Sequence, residues 1–264
     1  MKKLIVCDID NTLLPAGGKI SSVTSEALAS LGPDTGFTIA TGRSFHVVRK
    51  FVEDFDLKLP VITSNGAQLY DYENETSLFE TLIPPATVQK LLKKLLDEDF
   101  DFVAYADAGI YFRPKSEHLA FFKNYNASVR PEQRAPMIPL SEEDLTALSK
   151  KITKVLVYFP TEELTASLSK WKTLEVTASM HRVIDIMASG ATKGNAVVAL
   201  AKHLDIPLSS VYCFGDGDND VSMFSCGAVG VAMGNASEKV KAQASLVTRS
   251  CEEDGVAYAL KNLI

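Results

Sequence analysis

Strand-like apolar runs, each followed by a helical pattern, recur at both ends of this chain and stop in its middle. At the N-terminal end "KLIVCD" reads as a buried strand and "SSVTSEALASL" as a helix with hydroxyls at its start. "GFTIATG" is a second strand, "SFHVVRKFVEDF" a second helix and "PVITSNG" a third strand. The last third resumes the theme. "NAVVALAKHL" places Val197, Leu200, Ala201 and Leu204 on one helical face, and "SVYCFGD", "VSMFSCG", "GAVGVAM" and "DGVAYALKNL" read as strand, helix, strand and helix. Strands alternating with helices imply a parallel sheet with right-handed crossovers, an α/β fold.

The middle of the chain follows another rule. "PPATVQKLLKKLLDEDF" is an amphipathic helix with Val88, Leu91, Leu92 and Leu95 at helical spacing. "DFVAYA" and "GIYFRP" are strand-like and joined by a tight turn around Ala108-Gly109. "ITKVLVYF", a helix near "TEELTASLSKW", and the closely joined pair "LEVTAS" and "HRVIDIM" complete the segment. Hairpins with helices predict an α+β unit over residues 83–185, inserted into an α/β domain built from residues 1–82 and 186–264. A chain of 264 residues is long enough for both.

The composition, 46% hydrophobic and 23% charged, is that of an ordinary globular protein with a sizeable core. With 27 lysines and arginines against 33 acids, the net charge of −6 argues against a nucleic-acid or anionic-membrane surface. "MKKLIVCD" has only four apolar residues before an acid, too few for a secretory signal, and no run approaches a membrane span. Cys7, Cys213, Cys226 and Cys251 lack metal-type or CxxC spacing and read as reduced thiols. A cytoplasmic protein is expected.

The first strand delivers Asp8 and Asp10. In an extended segment residues two apart share a side, and two carboxylates so close repel, so one would hold a proton unless a cation lay nearby. Other core strands also end in polar residues, at the edge where parallel sheets bind ligands. These are Thr41-Gly42-Arg43, the acids of "GDGDND" (Asp216, Asp218, Asp220, with Asn219), and Lys193 of "GATKG" in the first turn of a helix. Each alone has an ordinary reading: acids capping a helix, a strand-end hydroxyl, a solvated lysine, a surface arginine. A calcium loop fails, because Val221 and Gly227 stand where it needs glycine and glutamate. Together they describe something else. Oxygen-rich acids suit Mg²⁺; a lysine, a hydroxyl and exposed amides suit a phosphate. A cation beside a phosphate would keep Asp8 ionised and let a carboxylate attack phosphorus.

In this order, "CDIDNTLL", "IATGRS", Lys193-Gly194 and "GDGDNDVSMF" resemble the four motifs of the haloacid dehalogenase superfamily of phosphohydrolases. "SNGA" at Ser64 to Ala67, "VAMGNASEKVKAQA" and "DGVAYAL" add to the likeness, and the group most resembled is the Cof-type sugar phosphatases. Asn11 stands where many relatives carry glycine. The resemblance implies a Rossmann-like hydrolase core with an inserted type IIB (C2B) cap. It implies Mg²⁺ as cofactor and Asp8 as a nucleophile that forms a phosphoaspartyl intermediate. Asp10 would protonate the leaving oxygen and then activate water, its carbonyl joining Asp8 and Asp216 on the metal while Asp220 orients that set. Thr41, the Gly42 amide, Lys193 and Asn219 would hold the phosphoryl oxygens. Arg43, Asn65, His181 and Arg182 are candidate substrate contacts, with Tyr111 and Arg113 also in the cap; the competing reading is that the tyrosine packs and the charges are solvated. The implied substrate is a small phosphorylated metabolite, sugar phosphates first. The alternatives are a phosphomannomutase-like transferase and a non-enzymatic phospholigand sensor.

Overall fold

The computed structural model describes residues 1–15, 18–141, 151–180 and 182–264. The strands in chain order are β1 (Lys3–Cys7), β2 (Thr35–Ile39), β3 (Val61–Thr63), β4 (Gln68–Asp71), β5 (Thr76–Glu80), β6 (Asp101–Ala106), β7 (Gly109–Phe112), β8 (Met137–Pro139), β9 (Ile152–Tyr158), β10 (Leu174–Met180), β11 (Val183–Ala188), β12 (Val211–Gly215), β13 (Val229–Ala232) and β14 (Leu246–Val247). The described helices are α1 (Ser22–Ala29), α2 (Arg49–Asp54), α3 (Pro85–Asp97), α4 (Ala120–Ser128), α5 (Glu162–Leu168), α6 (Lys193–His203), α7 (Val221–Phe224), α8 (Glu238–Lys241) and α9 (Gly255–Asn262). None of them is long and apolar enough to cross a membrane. The chain divides into two compact units, residues 1–41, 51–79 and 192–264, and residues 42–50 and 80–191.

The first unit is built on a parallel sheet of order β14-β13-β12-β1-β2. A parallel bridge from Ala40 to Ile62 brings in β3, which pairs antiparallel with β4. Strands of such a sheet are covered on both faces and read as continuous apolar runs. Accordingly Leu4, Ile5, Val6 and Cys7 of β1 are all fully buried. Helix α6 starts at a Thr192 cap, whose hydroxyl accepts the Asn195 amide at 3.2 Å. It buries Ala196, Val197, Leu200 and Ala201 in the core as expected, with Leu204 packed at the margin. Each large aliphatic side chain so buried contributes roughly 1.5–3 kcal/mol.

The second unit has a mostly antiparallel sheet of order β10-β11-β9-β6-β7-β8. Val88, Leu91, Leu92 and Leu95 of α3 and Leu164 and Leu168 of α5 pack on one face, against Phe102, Val155, Val157 and Ile186. The other face carries Val103, Tyr105, Leu156 and Val183, covered by Phe122 and Tyr125 of α4. Pro85 opens α3 at a position where a missing amide costs nothing.

Several local expectations shift. "SFHVVRKFVEDF" is not one helix but a single 3₁₀ turn at Phe45–Val47 followed by α2. Val47 packs among Val103, Tyr105 and Phe122 of the second unit, whereas Phe51 onward groups with the first. A single straight helix would have to serve two cores. Residues 42–50 group with residues 80–191 in the second unit. The turn before β7 lies at Asp107-Ala108, one residue earlier than expected.

Candidate active site

Asp8 follows β1, and its amide donates to the Phe214 carbonyl of β12 at 3.0 Å. Beyond it the chain folds back on itself: the amides of Leu13 and Leu14 both reach the Ile9 carbonyl, at 3.0 and 2.7 Å. That reversal needs a left-handed residue at Asn11, whose φ is 61°. Asparagine tolerates this conformation better than most side chains. Asn235 steadies the same residue, its amide donating to the Asn11 carbonyl at 3.0 Å.

Lys193, the first residue of α6, is completely buried. Its ammonium donates to Asp8 Oδ1 and to Asp220 Oδ1, each at 2.6 Å. The second oxygen of Asp220 accepts the backbone amides of Asp216 and Gly217, both at 2.9 Å. Asp220 thus ties the lysine to the loop that presents Asp216, and Thr12 donates to Asp216 Oδ1 at 3.1 Å. Two glycines permit this crowding. A Cβ on Gly194 would lie 2.1 Å from the Ser222 carbonyl oxygen, and one on Gly66, at φ +91°, would lie 2.1 Å from that of Thr192. Asn65, buried and left-handed at φ 56°, accepts a hydrogen bond from the Asn219 side chain at 3.0 Å. Its amide donates to the Thr41 carbonyl at 3.0 Å.

The electrostatics are those of crowded buried acids. Burial pushes the Asp8 carboxyl up to about 8; Lys193 pulls against this, while Asp220 and Asp10 add to it. Burial also lifts Asp216 to about 6, with the Asp220 charge adding to the effect. Burial alone would lower the Lys193 ammonium, yet Asp220 and Asp8 hold it above its ordinary value. One oxygen each from Asp8, Asp216 and Asp220 lie within 4.8 Å of one another. Hard oxygen donors at that spacing, with two carboxyls that resist ionisation, fit a small divalent cation. Asp220 already spends both oxygens on Lys193 and the loop amides, so Asp8 and Asp216 are the better placed side-chain ligands.

The first unit therefore brings Asp8, Asn65, Lys193, Asp216, Asn219 and Asp220 into two linked sets of contacts, with Thr41 joined through its backbone to Asn65. Asp10 is exposed at the same strand end. Gly42 and Arg43 belong to the second unit, where the Arg43 guanidinium lies 5.2 Å from the centre of the Phe121 ring. Arg182 is exposed in a left-handed turn, 5.7 Å from the Phe159 ring, and His181 lies outside the described residues. Tyr111 packs against the cluster beneath α3. Arg113 is buried and donates to the Phe100 carbonyl at 2.6 Å and to Asp99 at 2.9 Å, a brace rather than a solvated charge. Thr12, Ser222 and Asn235 carry support that the sequence did not assign. Hydroxyls and amides within or beside the motifs were the only signal for them.

The chain matches the model of the haloacid dehalogenase-like hydrolases over residues 5–260. It is 28% identical to the pyridoxal phosphate phosphatase YbhA of Escherichia coli (strain K12), over 97% of this chain and 96% of that one. It is also 28% identical to the 5-amino-6-(5-phospho-D-ribitylamino)uracil phosphatase YitU of Bacillus subtilis (strain 168), over 98% and 96% of the two chains. Among solved structures it resembles a HAD subclass IIB sugar phosphatase, with a TM-score of 0.85 and 29% identity over 98% of each chain.

Proposed function

The chain belongs to the haloacid dehalogenase-like hydrolases as a phosphatase, and on that premise we propose that it hydrolyses small phosphorylated metabolites with Mg²⁺ and a phosphoaspartyl intermediate on Asp8. The observation that carries this reading is the buried Asp8 carboxyl, fixed at one oxygen by Lys193 at 2.6 Å and facing the Asp216 and Asp220 acids. A nucleophile must be ionised and aimed. Lys193 aims Asp8 and offsets its charge, and Asp220 holds Lys193 in place.

Mg²⁺ bound by Asp8, Asp216 and the Asp10 carbonyl would neutralise charge on the phosphoryl group and the acids around it. In this reading the other oxygen of Asp8 attacks phosphorus as Asp10 gives a proton to the leaving oxygen. Asp10, being exposed, can then take a proton from the water that hydrolyses the aspartyl phosphate. An ammonium has three donors; two of Lys193 go to Asp8 and Asp220, and the third suits a phosphoryl oxygen. Thr41, the Gly42 amide and Asn219 would hold the remaining oxygens. Phosphoryl transfer asks chiefly for such positioning and charge neutralisation.

For the substrate, the named substrates of two relatives, pyridoxal phosphate and 5-amino-6-(5-phospho-D-ribitylamino)uracil, are small phosphate monoesters. A third relative is a sugar phosphatase. Compact monoesters, sugar phosphates among them, are therefore the class to screen. Phosphate release should appear with at least one member, require Mg²⁺, and fall when Ca²⁺ replaces it, because Ca²⁺ takes more ligands at longer bonds. Full activity in EDTA would defeat the metal assignment. A product that is an isomerised phosphate, with no free phosphate, would replace hydrolysis by transfer.

A further inference from the structure

In the first unit, the turn that carries Thr12 is held by residues from the far end of the chain. The Asn235 side chain uses both ends of its amide. Its Nδ2 donates to the Asn11 carbonyl at 3.0 Å, and its Oδ1 accepts the Cys251 amide at 2.8 Å. The Cys251 thiol in turn donates to the Thr12 carbonyl at 3.0 Å. A buried cysteine usually behaves as a small apolar side chain, and packing alone does not require a sulfur this close to a carbonyl. Burial, with the charges of Glu252 and Asp216 adding to it, pushes the thiol up to about 12, so it keeps the proton it donates.

The two bonds fall on either side of one α-carbon. The Asn11 carbonyl belongs to the peptide before Thr12, and the Thr12 carbonyl to the peptide after it. The same peptides also donate to the Ile9 carbonyl, from Thr12 at 3.4 Å and from Leu13 at 3.0 Å, but Ile9 lies in that turn and moves with it. Asn235 and Cys251 hold the turn from outside. Their own segments are tied together by the Gly234 amide, which donates to the Arg249 carbonyl at 2.9 Å. They are tied to the end of β12, just before Asp216, by the Met233 amide, which donates to the Gly215 carbonyl at 3.0 Å. With both peptides held, the direction of the Thr12 side chain is set. It is only 2% exposed, and its hydroxyl donates to Asp216 Oδ1 at 3.1 Å. A hydrogen bond to one oxygen fixes how a carboxylate ligand is turned. We propose that Cys251 and Asn235 are positioning residues that act through Thr12 to orient Asp216 for a divalent cation. This inference rests on the phosphatase reading given above, in which Asp216 is a ligand of Mg²⁺.

The test titrates Mg²⁺ alone by calorimetry into the wild type, Thr12→Val, Cys251→Ala, Cys251→Ser, Asn235→Ala and the double variant Thr12→Val/Cys251→Ala. Circular dichroism and thermal melting check folding. Loss of a group that orients a metal ligand costs roughly 10- to 100-fold in affinity, and Thr12→Val should weaken Mg²⁺ binding to that extent. Cys251→Ala and Asn235→Ala should weaken it by about 10-fold, while Cys251→Ser, which keeps a donor, should stay close to the wild type. Because Cys251 acts through Thr12, the double variant should bind no more weakly than Thr12→Val. Unchanged affinity in both folded alanine variants, a Cys251→Ser as weak as Cys251→Ala, or losses that add in the double variant would overturn the proposal. An alanine variant that does not fold would also overturn it, because the bracket would then be needed for the core. A wild type that binds no Mg²⁺ would defeat the metal assignment and this proposal with it. One that binds Mg²⁺ but releases no phosphate from any ester would contradict the phosphatase reading instead, while the calorimetric comparison still decided this one.

Discussion

Asp8 and Asp216 make the candidate site a place where protons would compete with the proposed cation. Burial raises Asp8 from 3.8 to about 8 and Asp216 from 3.8 to about 6. The folded chain therefore binds more protons than the unfolded chain between those values. The associated stability is fully present below 3.8 and is lost as pH rises towards about 8 for Asp8 and about 6 for Asp216. In EDTA the melting temperature of the wild type should fall across that window more steeply than that of Asp8→Asn, which lacks the larger shift. A ligand that binds only the folded state stabilises it by mass action, so Mg²⁺ should raise the wild-type melting temperature more at pH 8 than at pH 5. Equal Mg²⁺ effects at both values would contradict the assignment. Arg113 makes a separate point. Its guanidinium braces the Phe100 carbonyl and Asp99, so Arg113→Ala should lower thermal stability while leaving the ratio of kcat/KM between substrates unchanged. A change in that ratio would return it to the specificity site.

At the level of elements, the site depends on how closely α6 approaches α7. Gly194 follows Lys193, and the oxygen of Ser222 leaves no space for a Cβ. Gly194→Ala should push the N-terminus of α6 outward and shift the Lys193 ammonium away from Asp8. Since about 1 Å of misplacement can cost about 100-fold, kcat/KM should drop on that order with the fold retained. A variant with wild-type kinetics would show that the helix is not what positions the lysine. Elements were also where the sequence was easiest to read. The four buried positions of α3 and the buried run of β1 follow from periodicity, because one apolar face must be covered. Helix α4 was missed because "AFFKNYNAS" buries Phe122 and Tyr125 but leaves Phe121 exposed beside them, which blurs the period. The break between Val47 and α2 was also unreadable. It comes from Val47 packing with residues distant in sequence, and no local propensity carries that.

On the scale of the whole molecule, the candidate residues of the first unit come from four strand ends and one helix start widely separated in the chain. The motifs could be read because the chemistry dictates residue types: paired acids, a lysine at a helix start, a hydroxyl beside a glycine. The partners could not. That Lys193 bridges Asp8 to Asp220, that Asn65 meets Asn219, and that Cys251 reaches Thr12 are distances, and sequence spacing does not encode them. The central claim is that Asp8 attacks phosphorus. It is tested most directly by measuring phosphate release, with Mg²⁺, from wild type and Asp8→Asn matched for circular dichroism. The amide is nearly the same size but is not a useful nucleophile, so turnover should fall on the order of 10⁴-fold or more. Substantial turnover by pure, folded Asp8→Asn would contradict the account.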